Sequence, residues 1–127
     1  DSRKKTVLIT TNGCEEIDDF LKCGSTYPSE LFFKLFLLTV VENTANYGKE
    51  IDNVRQLELK YDTAKKCLVA RNIPENACDP LPKKNKLTGN FKAFDIILDT
   101  LEIGQLEFDK ENEDGVSYFV TRLKSNC

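Results

Sequence analysis

Histidine and methionine are both missing from this 127-residue sequence. Without histidine the chain lacks the side chain that most often serves as general base or metal ligand near neutral pH. No CxxC pair occurs, so a zinc site would have to be built from cysteine or carboxylate ligands alone. No glycine-rich phosphate loop is present. The acidic stretch from Asp109 to Gly115 carries its glycine at the seventh position and places Val120 at the twelfth. A calcium loop needs that glycine at about position six and a bidentate glutamate at about twelve. Glu15, Glu16, Asp18 and Asp19 fall on a solvent-facing helix side with no cleft signature around them. Neither an enzyme nor a bound cofactor or metal is therefore expected.

Other absences narrow the partners. A net charge of -3 gives no concentrated basic surface for nucleic acid. The longest apolar run, Leu31 to Val41, is broken by Lys34 and falls short of the ~20 residues that cross a bilayer. No Asn-x-Ser/Thr acceptor occurs, so ordinary N-glycosylation is not expected. A hydrophobic fraction of 40% with 31% charged residues is that of a folded globular chain. This length supports one domain with its own core. A chain that opens on Asp1 is expected to be a mature form from which a signal peptide has been removed; a trimmed expression product would begin alike.

The sequence does contain five cysteines, which at these spacings point to disulfides and an oxidising, extracellular setting. Lys5 to Asn12 is β-branched and reads as a short strand or extended arm, with Asn12-Gly13 as a turn. Cys14 to Cys23 carries Ile17, Phe20 and Leu21 on one helical stripe and stops at Gly24. Pro28 opens a second helix to about Asn46 that is apolar almost all round and should be covered on most sides. A third helix, about Lys49 to Arg71, follows from Ile51, Val54, Leu57, Tyr61, Ala64 and Leu68, which advance in steps of three and four. Three prolines and Gly89 mark Ile73 to Asn90 as a long loop. A fourth helix, Asn90 to Ile103, aligns Phe91, Phe94, Leu98 and Leu101, and an acidic connection runs from Glu107 to Asp114. Asp114 caps a last helix with Val116, Phe119, Val120 and Leu123 as its stripe. The expectation is a single all-α domain spanning the chain: about five helices packed around a central hydrophobic one, held by two disulfides.

Within a helix, Cys14 and Cys23 would lie about 13 Å apart along the axis and on opposite sides, too far for a bridge that needs Cα atoms within ~7 Å. Each must then reach elsewhere. The economical arrangements are Cys14–Cys67 with Cys23–Cys78, or the crossed pairing, while a local Cys67–Cys78 bridge is a further alternative. Cys127 is the odd one out, either a free or capped thiol or the link of a disulfide-bonded homodimer. Lys83, Lys84 and Lys86, with Lys92 nearby, form a positive cluster in an acidic protein. They read as a solvated loop or as an electrostatic contact for an acidic protein or sulfated glycan. The phenylalanines Phe32, Phe33, Phe36, Phe91, Phe94 and Phe119 read as core, or as the lining of a cavity for a small apolar ligand.

With Cys14 and Cys23 on an early helix, Cys67 and Cys78 around a helix end, and no catalytic motif, the organisation resembles a known group over most of the chain. These are the small, two-disulfide, all-helical salivary proteins with which blood-feeding insects restrain host complement or platelets. Cys127 departs from their four-cysteine plan. The resemblance implies a secreted inhibitor that binds an extracellular host protein through surface side chains, without a cofactor. The alternative, a secreted carrier of small hydrophobic ligands in a helical cavity, is similar in loose outline to the secretoglobins. Insect odorant-binding proteins place two cysteines three residues apart on a helix, which this chain does not.

Overall fold

In a computed structural model the chain is a two-layer α/β structure, described here over residues 5–13, 29–62 and 64–125. The elements run β1 (Val7–Asn12), α1 (Ser29–Tyr47), β2 (Arg55–Asp62), β3 (Cys67–Asn72), a 3-10 turn at Lys84–Lys86, α2 (Gly89–Leu101), β4 (Gly104–Glu113) and β5 (Val116–Ser125). Five strands form one sheet in the order β1-β2-β3-β5-β4. The all-helical bundle expected from the sequence is therefore overturned.

Two of the expected helices occur where the apolar stripes place them, as α1 and α2. The stretch read as a long third helix is instead the β2–β3 hairpin. In Leu57-Glu58-Leu59-Lys60-Tyr61-Asp62 the residues alternate, and Leu57, Leu59 and Tyr61 are buried while Lys60 is exposed. That period of two outweighs the coincident three-and-four spacing once the strand has neighbours on both sides. Asp52 and Asn53 both take left-handed backbone angles, φ 53° and 68°, and Ile51 and Val54 exchange both backbone hydrogen bonds across them. Such a two-residue turn cannot lie inside a helix. The expected last helix fails for the same reason. Asp114 and Gly115, at φ 53° and 80°, form the tip of a hairpin in which β4 and β5 pair from Gly104↔Ser125 to Glu113↔Val116. The acidic stretch from Glu107 is thus the second half of β4. The expected first helix, Cys14 to Cys23, lies outside the described residues.

β1 and β2 run parallel, with α1 in the crossover that parallel pairing requires. β3 and β4 also run parallel, joined through α2, with β5 inserted between them. Both helices lie on one face. Their core holds Phe36, Val40, Leu57, Leu59, Leu68, Phe94, Leu98 and Leu123, and the rings of Phe36 and Phe94 meet at 6.2 Å. At roughly 25 cal/mol per Å², burying each large side chain of this set stabilises the fold by ~1.5–3 kcal/mol. Gly104 begins β4 against this core: a Cβ there would lie 2.7 Å from the Lys124 carbonyl oxygen, so no larger residue fits. α1 is buried or half-buried over most of its circumference and open along one stripe, where Leu31 and Leu38 are 48% and 59% exposed.

The opposite sheet face is a lattice of charges. Arg71 bonds Glu113 at 2.8 Å and Glu58 at 3.1 Å, and its guanidinium lies 4.2 Å from the centre of the Tyr118 ring. Those carboxylates, Glu113 first, hold the Arg71 proton more tightly than usual. Arg122 pairs with Asp109 and Glu111, and Lys124 with Glu107. The Lys110 backbone N–H and then the Arg122 guanidinium hold the Asp109 carboxyl below its ordinary range. Beneath these side chains Val120 is fully buried.

Candidate functional site

Alternation along the β4–β5 hairpin puts Lys110, Asn112, Ser117 and Phe119 on the helix side of the sheet, with Leu106 and Leu123. The connection from Ile73 to Thr88 crosses that side ahead of α2. Between the two lies a cavity of about 480 Å³, within the range of small-molecule sites. Its remaining wall comes from the end of α1, through Asn43 and Tyr47.

Apolar groups dominate the lining. Phe91 and Phe119 belong to a ring cluster in which Phe108 meets Phe91 edge-on at 5.1 Å and stacks on Phe119 at 6.0 Å. Leu81, Leu87 and Pro74 complete this surface, and Leu87 is 8% exposed. Held in place through Phe108, the Phe91 and Phe119 rings stand nearly perpendicular to each other and present a pre-formed aromatic corner.

Four asparagines, Asn43, Asn72, Asn76 and Asn112, line the cavity and supply its polar edge. Asn72 donates its side-chain N–H to Thr44 Oγ1 at 2.9 Å, and Thr44 donates in turn to the Val40 carbonyl at 2.8 Å. That chain fixes the Asn72 amide and leaves its Oδ1 without a donor among the described residues. Asn43 is half-buried on α1, and its side chain makes no hydrogen bond among the described residues. Asn76 Oδ1 accepts from the Cys78 N–H at 3.0 Å and holds the turn at the rim.

Charge at the site favours an anion. Lys86 and Lys110 both line the cavity, and Lys86 has no ion-pair partner among the described residues. Lys110 reaches the Ala77 carbonyl at 3.3 Å, which ties the connection to the hairpin. Of the two lining carboxylates, Glu111 is already engaged by Arg122 and Arg71, which leaves Asp79. Thr88, which precedes α2, lines the cavity and forms no side-chain cap, and the Glu42 carboxylate already lies at that helix start, accepting from the Asn90 side chain.

Of the lysines singled out from the sequence, only Lys86 reaches the cavity. Lys84 is held by two carboxylates of α2, Asp95 at 2.9 Å and Asp99 at 3.0 Å. Hydrogen bonds to Asp95 and Asp99 raise its pKa. Lys83 and Lys92 are exposed without an ion-pair partner among the described residues. The phenylalanines divide between two roles: Phe32, Phe36 and Phe94 are packed in the core, whereas Phe91 and Phe119 face the cavity. The asparagines were not legible, because no spacing links Asn43, Asn72 and Asn76 before the sheet brings them together. Among the described residues no cluster of three or more metal-type ligands forms, and no helix is long and apolar enough to cross a membrane.

The expected disulfides are also corrected. Cys67 and Cys78 are both free. Cys67 begins β3 and Cys78 follows its other end, so a strand of six residues, about 17 Å of extended chain, separates them. The bridges to Cys14 and Cys23 each needed one of these two thiols. Cys14, Cys23 and Cys127 lie outside the described residues.

No protein-family model matches the chain, and no curated protein matches it. Among solved structures, the Acinetobacter baumannii histidine kinase AdeS superposes with a TM-score of 0.49 at 13% identity, over 98% of this chain. The chain spans 56% of that structure's length.

Proposed function

We propose that the chain is a small-molecule-binding module, and that its ligand has a flat, largely apolar body, an edge that exchanges hydrogen bonds with amides, and negative charge. The observation that carries this reading is the convergence of Phe91 and Phe119, the Asn43 and Asn72 amides, and Lys86 on one cavity of about 480 Å³. The corner formed by Phe91 and Phe119 suits a planar group, which can stack on one ring and meet the other edge-on. The two amides can each donate and accept, so they select an edge rather than a bare hydrocarbon. Lys86 and Lys110 attract the anionic end. Aromatic carboxylates and aromatic phosphates, nucleoside phosphates among them, combine these three properties. This retains the ligand-carrying alternative from the sequence but moves the site from a helical cavity to a sheet-and-loop pocket.

Calorimetric titration with a matched set of aromatic carboxylates, nucleoside phosphates and their uncharged parents tests the reading. The anionic members are expected to bind saturably and the uncharged parents about tenfold or more weakly. Phe91→Ala should weaken all of them, while Lys86→Glu should weaken only the anions. Equal binding of charged and uncharged members, or indifference to both substitutions, would overturn it.

A further inference from the structure

The exposed side of α1 is not the polar surface of an ordinary surface helix. Leu31, Lys34, Leu38 and Glu42 follow one another at spacings of three, four and four along its exposed face. At about 100° per residue these four fall within a stripe some 80° wide. Leu38 sits at its centre and is 59% exposed, while Leu31 is 48% exposed. The buried side of the same helix is formed by Phe32, Phe36, Val40 and Thr44. The two leucines lie two turns apart on this face.

The charges on the stripe are placed symmetrically about Leu38. Lys34 precedes it by four residues and Glu42 follows it by four, so they lie about 6 Å to either side along the axis and are offset to opposite flanks. If a second α1 lies antiparallel across the first with the two Leu38 side chains at the two-fold axis, residue i meets residue 76 − i of the partner. Lys34 then faces Glu42 of the second copy twice, once on each side, and Leu31 packs beside Ala45. A parallel arrangement would place like charges together. The stripe is thus complementary to itself in one orientation, which is the property an isologous interface needs. Glu42 already accepts a hydrogen bond from the Asn90 side chain through Oε2, which leaves Oε1 for a lysine arriving from outside.

We infer that the exposed face of α1 is an interface between two copies of this chain, formed by antiparallel pairing about Leu38. A single helix pair buries less than the ~1,200 Å² of a standard interface, so the dimer is weak and concentration-dependent. It is independent of the ligand cavity, and also of any cysteine, because it should persist in reductant.

Sedimentation equilibrium of the chain in reductant, over a range of concentrations, tests this. A monomer–dimer equilibrium is expected for the unaltered protein. Lys34→Glu should raise the dissociation constant about tenfold by setting two acidic pairs against each other. Glu42→Lys should do the same, and the doubly exchanged Lys34→Glu/Glu42→Lys chain should regain the original constant. Leu38→Glu should abolish association. All three positions are exposed, and circular dichroism of each variant verifies that α1 persists. A single monomeric species at every concentration, or a dimer that ignores Lys34→Glu, would overturn the assignment.

Discussion

Asn72 on β3 and Thr44 on α1 are joined by a buried hydrogen bond of 2.9 Å, and the same hydroxyl donates to the Val40 carbonyl one helical turn back. Thr44 is fully buried and Asn72 is 6% exposed. This polar link crosses from helix layer to sheet beside the cavity. It fixes both the height of α1 over the sheet and the direction of the Asn72 amide.

Thr44→Val keeps the shape and removes the acceptor, so the buried Asn72 N–H loses its partner. The expected cost is about 1–3 kcal/mol in a urea or guanidinium melt. Asn72→Ala should cost less through this contact, since the Thr44 hydroxyl keeps its bond to Val40. The two changes should also be strongly non-additive. Additive losses would show that the link does not hold the layers together.

Lys84 straps the Ile73–Thr88 connection to α2 through Asp95 and Asp99. Its pKa is raised above the ordinary 10.5 by those hydrogen bonds. A cation favoured in the folded state adds stability that is fully present below its unfolded pKa, and that stability is lost as pH rises through the folded value. The Lys84 side chain is 61% exposed, so Lys84→Met should cost only about 1 kcal/mol at neutral pH. The stability gap between the two proteins should stay level from pH 7 to about 10 and then close. Melts at stepped pH check this, and a gap that widens in alkali contradicts it.

Much of the helical half was legible, α2 through its one-sided apolar stripe and α1 through an apolar run opened by Pro28 and too long for a typical strand. The β2–β3 hairpin was not, because Leu57, Tyr61, Ala64 and Leu68 satisfy helical spacing while Leu57, Leu59 and Tyr61 satisfy alternation. Only the neighbouring strands decide between them. Asp114-Gly115 was the readable signal that β4 and β5 form a hairpin, since that dipeptide favours a two-residue turn. It was read instead as a helix cap, because Val116, Phe119, Val120 and Leu123 also make a plausible stripe. Those same residues divide between the faces of β5: Phe119 and Leu123 point to the helices, Val116 and Val120 to the charge lattice. The lysine loop was visible as charge, but nothing in its sequence separates Lys84, which is bound to α2, from Lys86, which faces the cavity.

The free thiols should differ sharply in reactivity. Cys67 is 1% exposed, and burial pushes its pKa up despite the nearby Arg122 and Lys124 charges. Cys78 is exposed on the connection. Thiolates are the reactive form. Native protein treated briefly with iodoacetamide at pH 8 should carry label at Cys78 and almost none at Cys67, as read by peptide mass spectrometry. Labelling of Cys67 should appear only with denaturant. Equal labelling of both in the native state would mean that β3 is not buried as described.

The cavity is the centre of the functional account, and ligand-induced shifts in a ¹⁵N-resolved NMR spectrum test it most directly, with nucleoside phosphates and aromatic carboxylates as probes. The account predicts saturable perturbations concentrated at Asn43, Asn72, Lys86, Phe91 and Phe119, with the Arg71–Glu58–Glu113 lattice on the far face unmoved. Perturbations centred on that far face, or spread evenly over the chain, would contradict it.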